Sequence, residues 1–332
     1  MRKNIWTIAV VFCLFISNNL RAQGDLTELA EKNAKSYIQP FITAFGMNMN
    51  SGLTHTAKVH KVLGFDISLK VMMDMIPDDE LTFNFDLTGF DFHYTNPLDS
   101  SIIIIPASVL YPDDNSMPTI FGGTGTLTPN AANAVAYLEE DIGEGVVNPD
   151  SLNLDDLHIS FSGIDFSVLP MFRPQISLGL PMNSELLLSF MSFASDDFDN
   201  GSFLSLGLKH SLDQYIPMPT PFLNLAAQGI YQKLELGVIT STHTHFNLQA
   251  SADFPIISIY GLLGMDKSNL EASYTIEEGI FEGEKIGFSL DGENAFRSTI
   301  GAKLKLALLY LSVDYTIGKH NAITIGTGVT LR

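Results

Sequence analysis

His243 and His245 stand two residues apart in a stretch of alternating character, so on a β-strand both imidazoles point to one face, with Asn247 next along it. Paired imidazoles suit zinc or copper, but such a site needs further ligands and no neighbouring residue supplies one. Polar side chains near the end of a strand are the better reading. The run Asp196-Asp197-Phe198-Asp199-Asn200-Gly201 gathers carboxylates before a glycine, as calcium loops do. It lacks the glutamate that closes an EF-hand loop, and reads as a solvated acidic loop. Met47, Met49, Met72, Met73 and Met75 lie close in sequence, where thioethers could take a soft metal. Methionine more often serves as adaptable apolar filling. Gly122-Gly123-Thr124-Gly125 has no phosphate-loop lysine, and neither G-x-S-x-G nor H-E-x-x-H occurs. The expectation is a protein that is not an enzyme, with no catalytic residues, no cofactor and no metal.

Charge narrows the partners. Lys and Arg number 18 against 37 Asp and Glu, a formal net charge of −19. A surface so acidic, without a basic stripe, repels nucleic acid and anionic solutes. Arg2 and Lys3 precede an apolar run from Ile5 to Ile16, and Leu20-Arg21-Ala22 offers a small residue before Gln23. That is the form of a removable export signal over residues 1–22. Its removal takes away three basic and no acidic residues, moving the charge from −19 to −22. It also takes away Cys13, the only cysteine, so the exported chain has no disulfide and no thiolate chemistry.

The elements that must position any site are strands. The chain is 45% hydrophobic with a mean hydropathy of +0.18, yet past the signal no apolar run is long enough for a membrane helix. Its apolar residues alternate instead. In the last run Ile323, Ile325, Val329 and Leu331 share a face, and Thr324, Gly326, Gly328 and Thr330 share the other. The preceding run sets Leu311, Val313, Tyr315 and Ile317 against Ser312, Asp314 and Thr316. Phe65, Ile67, Leu69, Val71, Met73 and Met75 oppose Asp66, Ser68, Lys70, Met72 and Asp74, and the alternation resumes at Leu81, Phe83, Phe85 and Leu87 against Asp86. Each run is about the 9–11 residues with which a tilted strand crosses a bilayer. An inward lysine avoids a cost of about 2–4 kcal/mol at the midplane. Asp66, Ser68, Lys70, Asp86 and Lys303 are therefore the expected lumen-facing residues.

The fold class expected is all-β: a transmembrane antiparallel up-and-down β-barrel of about 12–14 strands, with a short N-terminal helix. The last two runs would close it, and residues 65–87 would form a similar hairpin. Between Leu304 and Leu311 the apolar face changes phase, as a β-bulge would cause. Residues 25–41 carry helical spacing behind an Asp25–Glu28 capping box, and Pro40 should limit the helix. Residues 23–52 are an N-terminal helical segment that either precedes the barrel or plugs it. Residues 53–332 form the barrel, with a long loop at 95–156 that contains a candidate short helix at 131–137.

Several phrases together carry a resemblance. Tyr37-Ile38-Gln39-Pro40, Asn50-Ser51-Gly52, His55-Thr56-Ala57-Lys58 and Leu63-Gly64-Phe65-Asp66-Ile67 are similar to the start of an uncharacterised family of Gram-negative outer-membrane barrel proteins, a domain of unknown function. Pro174 to Pro181, Lys209-His210-Ser211 and the ending from Asp314 to Arg332 fit the same pattern. The resemblance implies an outer-membrane barrel and carries over no functional residue. The function expected is passive uptake or binding of small neutral or hydrophobic compounds by a monomer surrounded by outer-membrane lipid. The alternative is a structural or surface-interaction barrel without transport.

Overall fold

In the computed structural model, residues 24–331 are described apart from 112–113, 149–151, 153, 196–197, 217 and 276–284. The expected export signal and the first part of the acidic run at Asp196 lie outside the described residues. Two compact units divide the chain: Met1–Pro40 with Asp78–Phe166, and Phe41–Pro77 with Ser167–Arg332.

In chain order the elements are helix α1 (Gly24–Asn50), strand β1 (Phe65–Met75), β2 (Thr82–Asn84), β3 (Phe92–Thr95), β4 (Ile102–Ile105), α2 (Ala107–Leu110), β5 (Ser116–Pro118), β6 (Thr124–Leu127), α3 (Ala131–Ile142) and β7 (Ile159–Ser162). There follow β8 (Val168–Leu180), β9 (Ser184–Ser195), β10 (Phe198–Ser211), β11 (Leu223–Leu236), β12 (Ile239–Asp253), β13 (Ile257–Thr275), β14 (Lys285–Asp291), β15 (Phe296–Leu306), β16 (Leu309–Ile317) and β17 (Asn321–Leu331).

The second unit is a closed antiparallel barrel. Its strands run β1-β8-β9-β10-β11-β12-β13-β15-β16-β17, and β17 returns to β1 from Phe65↔Leu331 to Met75↔Asn321. The final hairpin is thus the closing seam, as its alternation implies. Ten strands close the ring rather than twelve to fourteen. Two alternating stretches, 257–263 and 270–275, belong to one strand, β13, and among the described residues β14 pairs only with the far end of β13. The phase change after Leu304 is not a bulge. Leu306 pairs with Leu309 across a two-residue turn in which Ala307 takes φ 57°, the positive φ that such hairpin turns use.

The barrel's outer face is apolar. Ile67, Leu69 and Val71 on β1, Leu204, Leu206 and Leu208 on β10, and Leu309, Leu311 and Val313 on β16 are all exposed, while the alternate residues of each strand are buried. Side chains of opposite character on the two faces are the arrangement of a barrel set in lipid.

The first unit corrects the expected 65–87 hairpin. β1 pairs with β17 and β8, and never with residues 81–87. The chain leaves the barrel after Pro77 and re-enters it at Ser167. Residues 78–166 are more than a loop. Three two-stranded ladders (β2–β5, β3–β4, β6–β7) and α3 enclose an apolar core of their own that includes Phe85, Ile105, Leu110, Met117, Leu138 and Ile159. Helix α3 extends the short helix expected at 131–137, and Asn130 caps it by accepting from the Asn133 amide at 3.1 Å. The glycines at 122–125 serve packing: a Cβ on Gly122 would lie 2.3 Å from the Leu81 carbonyl oxygen.

Asp86 belongs to this unit and does not face a lumen. Its carboxylate meets Lys32 at 2.5 Å, and Asn33 clasps its backbone with bonds of 2.8 and 3.0 Å. Lys32 holds the Asp86 carboxyl well below the usual carboxylate range, with Thr88 contributing. The parity argument fails here because 81–87 alternates to pack a small core rather than a barrel wall.

Candidate functional site: a segment enclosed by the barrel

Helix α1 does not stop at Pro40. A proline inside a helix removes one backbone bond at a cost of about 3 kcal/mol. Burial beyond it offsets that: Ile42, Ala44, Met47 and Met49 are buried, and so are the polar Asn48, Asn50 and Ser51. The helix ends where the Ser51 amide bonds the Asn48 carbonyl at 3.1 Å and Gly52 takes φ 64°, a conformation that glycine adopts without strain. From Leu53 to Ala57 the chain is irregular and wholly buried.

Residues 41–60 run through the lumen, and inward side chains of the strands hold them. Arg173 on β8 donates to the Met49 carbonyl at 2.7 Å and to the Ser51 carbonyl, and Gln175 donates to the Leu53 carbonyl at 3.2 Å. Gln232 on β11 reaches the Met49 carbonyl at 2.7 Å and the Asn50 side chain at 2.9 Å. Arg297 on β15 donates to the Ser51 hydroxyl at 2.9 Å. On β12, Gln249 accepts from Thr54 at 2.9 Å and Ser251 lies 3.2 Å from the Thr56 hydroxyl. Glu185 on β9 binds His60 twice, accepting from its backbone amide at 3.0 Å and pairing with its ring at 2.7 Å. Gly46 is where the helix touches the wall, since a Cβ there would lie 2.6 Å from the Ser268 hydroxyl.

Several other luminal charges are paired. Glu185 pairs with Lys209 at 2.8 Å, Asp266 with Arg297 at 2.6 Å, and Asp74 with His320 at 2.7 Å. Tyr310 donates to Asp66 at 3.0 Å, His55 lies 3.4 Å from the same carboxylate, and the Lys303 ammonium sits 3.9 Å from the Tyr310 ring centroid. Buried charges demand such partners because their desolvation is costly.

Of the residues expected in the lumen, Asp66, Ser68, Lys70 and Lys303 are buried there. The space at Gly326 and Gly328 is taken by wall side chains: a Cβ on Gly328 would lie 2.9 Å from the Tyr310 ring, and one on Gly326 2.6 Å from the Ser312 hydroxyl. His243 and His245 also point inward, but both nitrogens of each ring are already engaged. His243 meets the hydroxyls of Ser241 and Ser268 at 2.8 and 2.9 Å, and His245 meets Asp266 at 2.5 Å and Asn247 at 2.8 Å. Arg173, Glu185, Lys209, Asp266 and Arg297, absent from the expected set, carry most of the structure of the lumen. The parity rule used on β1 applies to them too, since Arg173 alternates with Ile176 and Leu178, and Lys209 with Leu206 and Leu208.

A family model described as a family of unknown function (DUF6588) matches residues 1–331. The chain belongs to the DUF6588 family. That agrees with the resemblance drawn from its motifs and assigns no activity. No curated protein matches. Among solved structures the chain is similar to Ail, the attachment invasion locus protein of Yersinia pestis (12% identity over 44% of this chain and 95% of that one, TM-score 0.25). It is also similar to the KdgM porin in complex with disordered oligogalacturonate (9%, 48% and 92%, TM-score 0.26). A third is a loop-deleted OmpT, an outer membrane protein of Vibrio cholerae (10%, 81% and 100%, TM-score 0.25). Superpositions this loose decide nothing about ligand or activity.

Proposed function

We propose that this protein is an outer-membrane barrel, exported by a cleavable signal and monomeric in outer-membrane lipid, whose lumen is gated by residues 41–60. It binds or passes small neutral or hydrophobic compounds. One observation carries this reading: side-chain hydrogen bonds and ion pairs hold the luminal segment, and no strand pairing does. A segment joined to the sheet by a ladder would be part of the wall. One joined by separable polar contacts can leave its seat by exchanging them for water. The acidic composition disfavours anionic solutes in water and leaves neutral ones.

Deletion of residues 41–60 tests this reading. Liposomes carrying the variant should take up a neutral sugar at least an order of magnitude faster than those carrying the full chain. Both proteins should keep heat-modifiable gel mobility as the sign of a folded barrel. Equal uptake by two folded proteins would remove the gate.

A second reading has its own observation, the separate apolar core of residues 78–166. A folded unit inserted between barrel strands is suited to meeting a partner. Loss of a co-purifying partner on deletion of 78–166, with permeability unchanged, would favour a surface-interaction barrel.

A further inference from the structure

Neighbouring barrel strands pair over most of their length, apart from β13, whose far end pairs with β14 instead of β15, and the seam between β8 and β9. β8 pairs with β1 from Val168 to Leu178, and β9 pairs with β10 from Ser184 to Ser195. Between β8 and β9 the ladder runs only from Leu180↔Ser184 to Ile176↔Leu188. Among the described residues, 168–175 of β8 and 189–195 of β9 make no pairing with each other. The composition of β8 fits an edge at this place. Pro170 and Pro174 have no amide hydrogen, and four residues apart they present their nitrogens to the same side. Proline is tolerated in a strand where that side is unpaired.

An almost wholly apolar cavity of about 320 Å³ adjoins this open seam. Phe45 and Met49 of the luminal segment, Met72, Met191, Phe203 and Leu234 form much of its wall, and Pro170 and Phe172 of β8 stand at it too. Phe172 is 63% exposed on the outer face, so the cavity reaches from the enclosed segment to the side of the barrel. Its volume is at the lower end of the roughly 300–1,000 Å³ of small-ligand sites. The thioethers of Met49, Met72 and Met191 are flexible and adapt to an irregular chain.

One wall residue is charged. Arg173 is buried, and among the described residues no carboxylate forms an ion pair with it. Two of its nitrogens bond backbone carbonyls of the luminal segment, and its Nε has no hydrogen-bond partner. A buried guanidinium at the wall of an apolar cavity is chemically matched to an anionic head on an apolar tail, which would reach it by taking the place of the Met49 or Ser51 carbonyl.

We infer that the open seam between β8 and β9 is a lateral port. Through it a single-chain amphiphile with an anionic head passes between the surrounding lipid and the cavity, its head on Arg173 and its tail among the methionines. This extends the uptake reading from neutral solutes in water to an amphiphile that arrives from the lipid, away from the acidic aqueous surface, and rests on the barrel lying in a membrane. It also brings the ligand against the contacts that seat residues 49 and 51, so that ligand and segment share one arginine.

The test uses tryptophan reporters, because Trp6 is the only tryptophan and lies in the expected signal. In nanodiscs, processed Phe203→Trp protein reports the cavity, and Phe246→Trp reports the outer face. Bromododecanoate should quench the Phe203→Trp reporter saturably, at a concentration about tenfold below that needed at the Phe246→Trp position, about 1.4 kcal/mol of preference. Bromododecanol should lose most of that preference. Phe172→Cys with Ser192→Cys, bridged by a bismaleimide, should abolish cavity quenching and leave outer-face quenching unchanged. Quenching at the cavity no stronger than partitioning requires, or undiminished by the bridge, would overturn the port. Equal quenching by the alcohol would overturn the assignment of Arg173 to the head. If the port fails while deletion of 41–60 still speeds sugar uptake, the gate stands without it. If both fail, the uptake reading is gone.

Discussion

Glu185→Ala is expected to unseat the luminal segment at its C-terminal end and to destabilise the barrel by about 3–5 kcal/mol, the cost of stranding a buried charge. Both carboxylate oxygens are used: one meets Lys209 at 2.8 Å, the other the His60 ring at 2.7 Å and the His60 amide at 3.0 Å. Alanine removes all three contacts. Lys209 is then left, deep in the lumen, with a 3.5 Å approach to the Thr56 carbonyl. The loss should appear as a lower midpoint for heat-modifiable mobility and as faster amide hydrogen exchange at residues 55–60. Glu185→Gln, which preserves shape and one acceptor, should fall between wild type and alanine. A wild-type midpoint for Glu185→Ala would show that these bonds do not hold the segment.

Arg297→Ala should cost a similar amount for a different reason. The guanidinium ties β15 to Asp266 on β13 with bonds of 2.7 and 2.6 Å, and it reaches the Ser51 hydroxyl at 2.9 Å. Asp266 in turn holds His245 at 2.5 Å. Removing the arginine leaves the Asp266 carboxylate buried with a single partner, so wall and luminal segment weaken together. Arg297→Lys should not restore the wild type, because an ammonium cannot supply the forked donors. Asp266→Asn combined with Arg297→Ala should cost less than the two single changes together, by about 0.5–3 kcal/mol of coupling. Strict additivity in denaturant titrations would contradict the shared network.

Much of the barrel is legible in the alternation alone, because one period-two pattern decides both strand and face. The closing seam, the inward placement of Asp66, Ser68, Lys70 and Lys303, and the strand at 65–75 all follow from it. It fails where alternation serves another purpose. Phe83 and Phe85 alternate around Asn84 as regularly as any barrel strand, yet they pack the core of the inserted unit. Periodicity records that a face is buried and is silent on what buries it. Strand number fails for a related reason, since one 19-residue strand and two shorter ones have the same local pattern. Helix α1 is misjudged at Pro40 because tertiary burial of Ile42, Met47 and Met49 outweighs a local penalty. The open seam between β8 and β9 leaves only a faint trace, the spacing of Pro170 and Pro174. Which neighbour a proline turns its nitrogen toward depends on register, and register is a property of the closed sheet.

The most direct measurement is passage of a neutral solute with the luminal segment reversibly locked. The Thr56 and Ser251 hydroxyls lie 3.2 Å apart, both side chains are short, and the only native cysteine is Cys13. Thr56→Cys with Ser251→Cys should therefore form a disulfide without large backbone movement. Liposomes carrying this variant, sealed around an indicator for a small neutral sugar, would be assayed oxidised and then reduced. A gate formed by residues 41–60 requires slow uptake when oxidised and uptake restored to the wild-type rate by reductant. Wild-type uptake with the disulfide fully formed would contradict it.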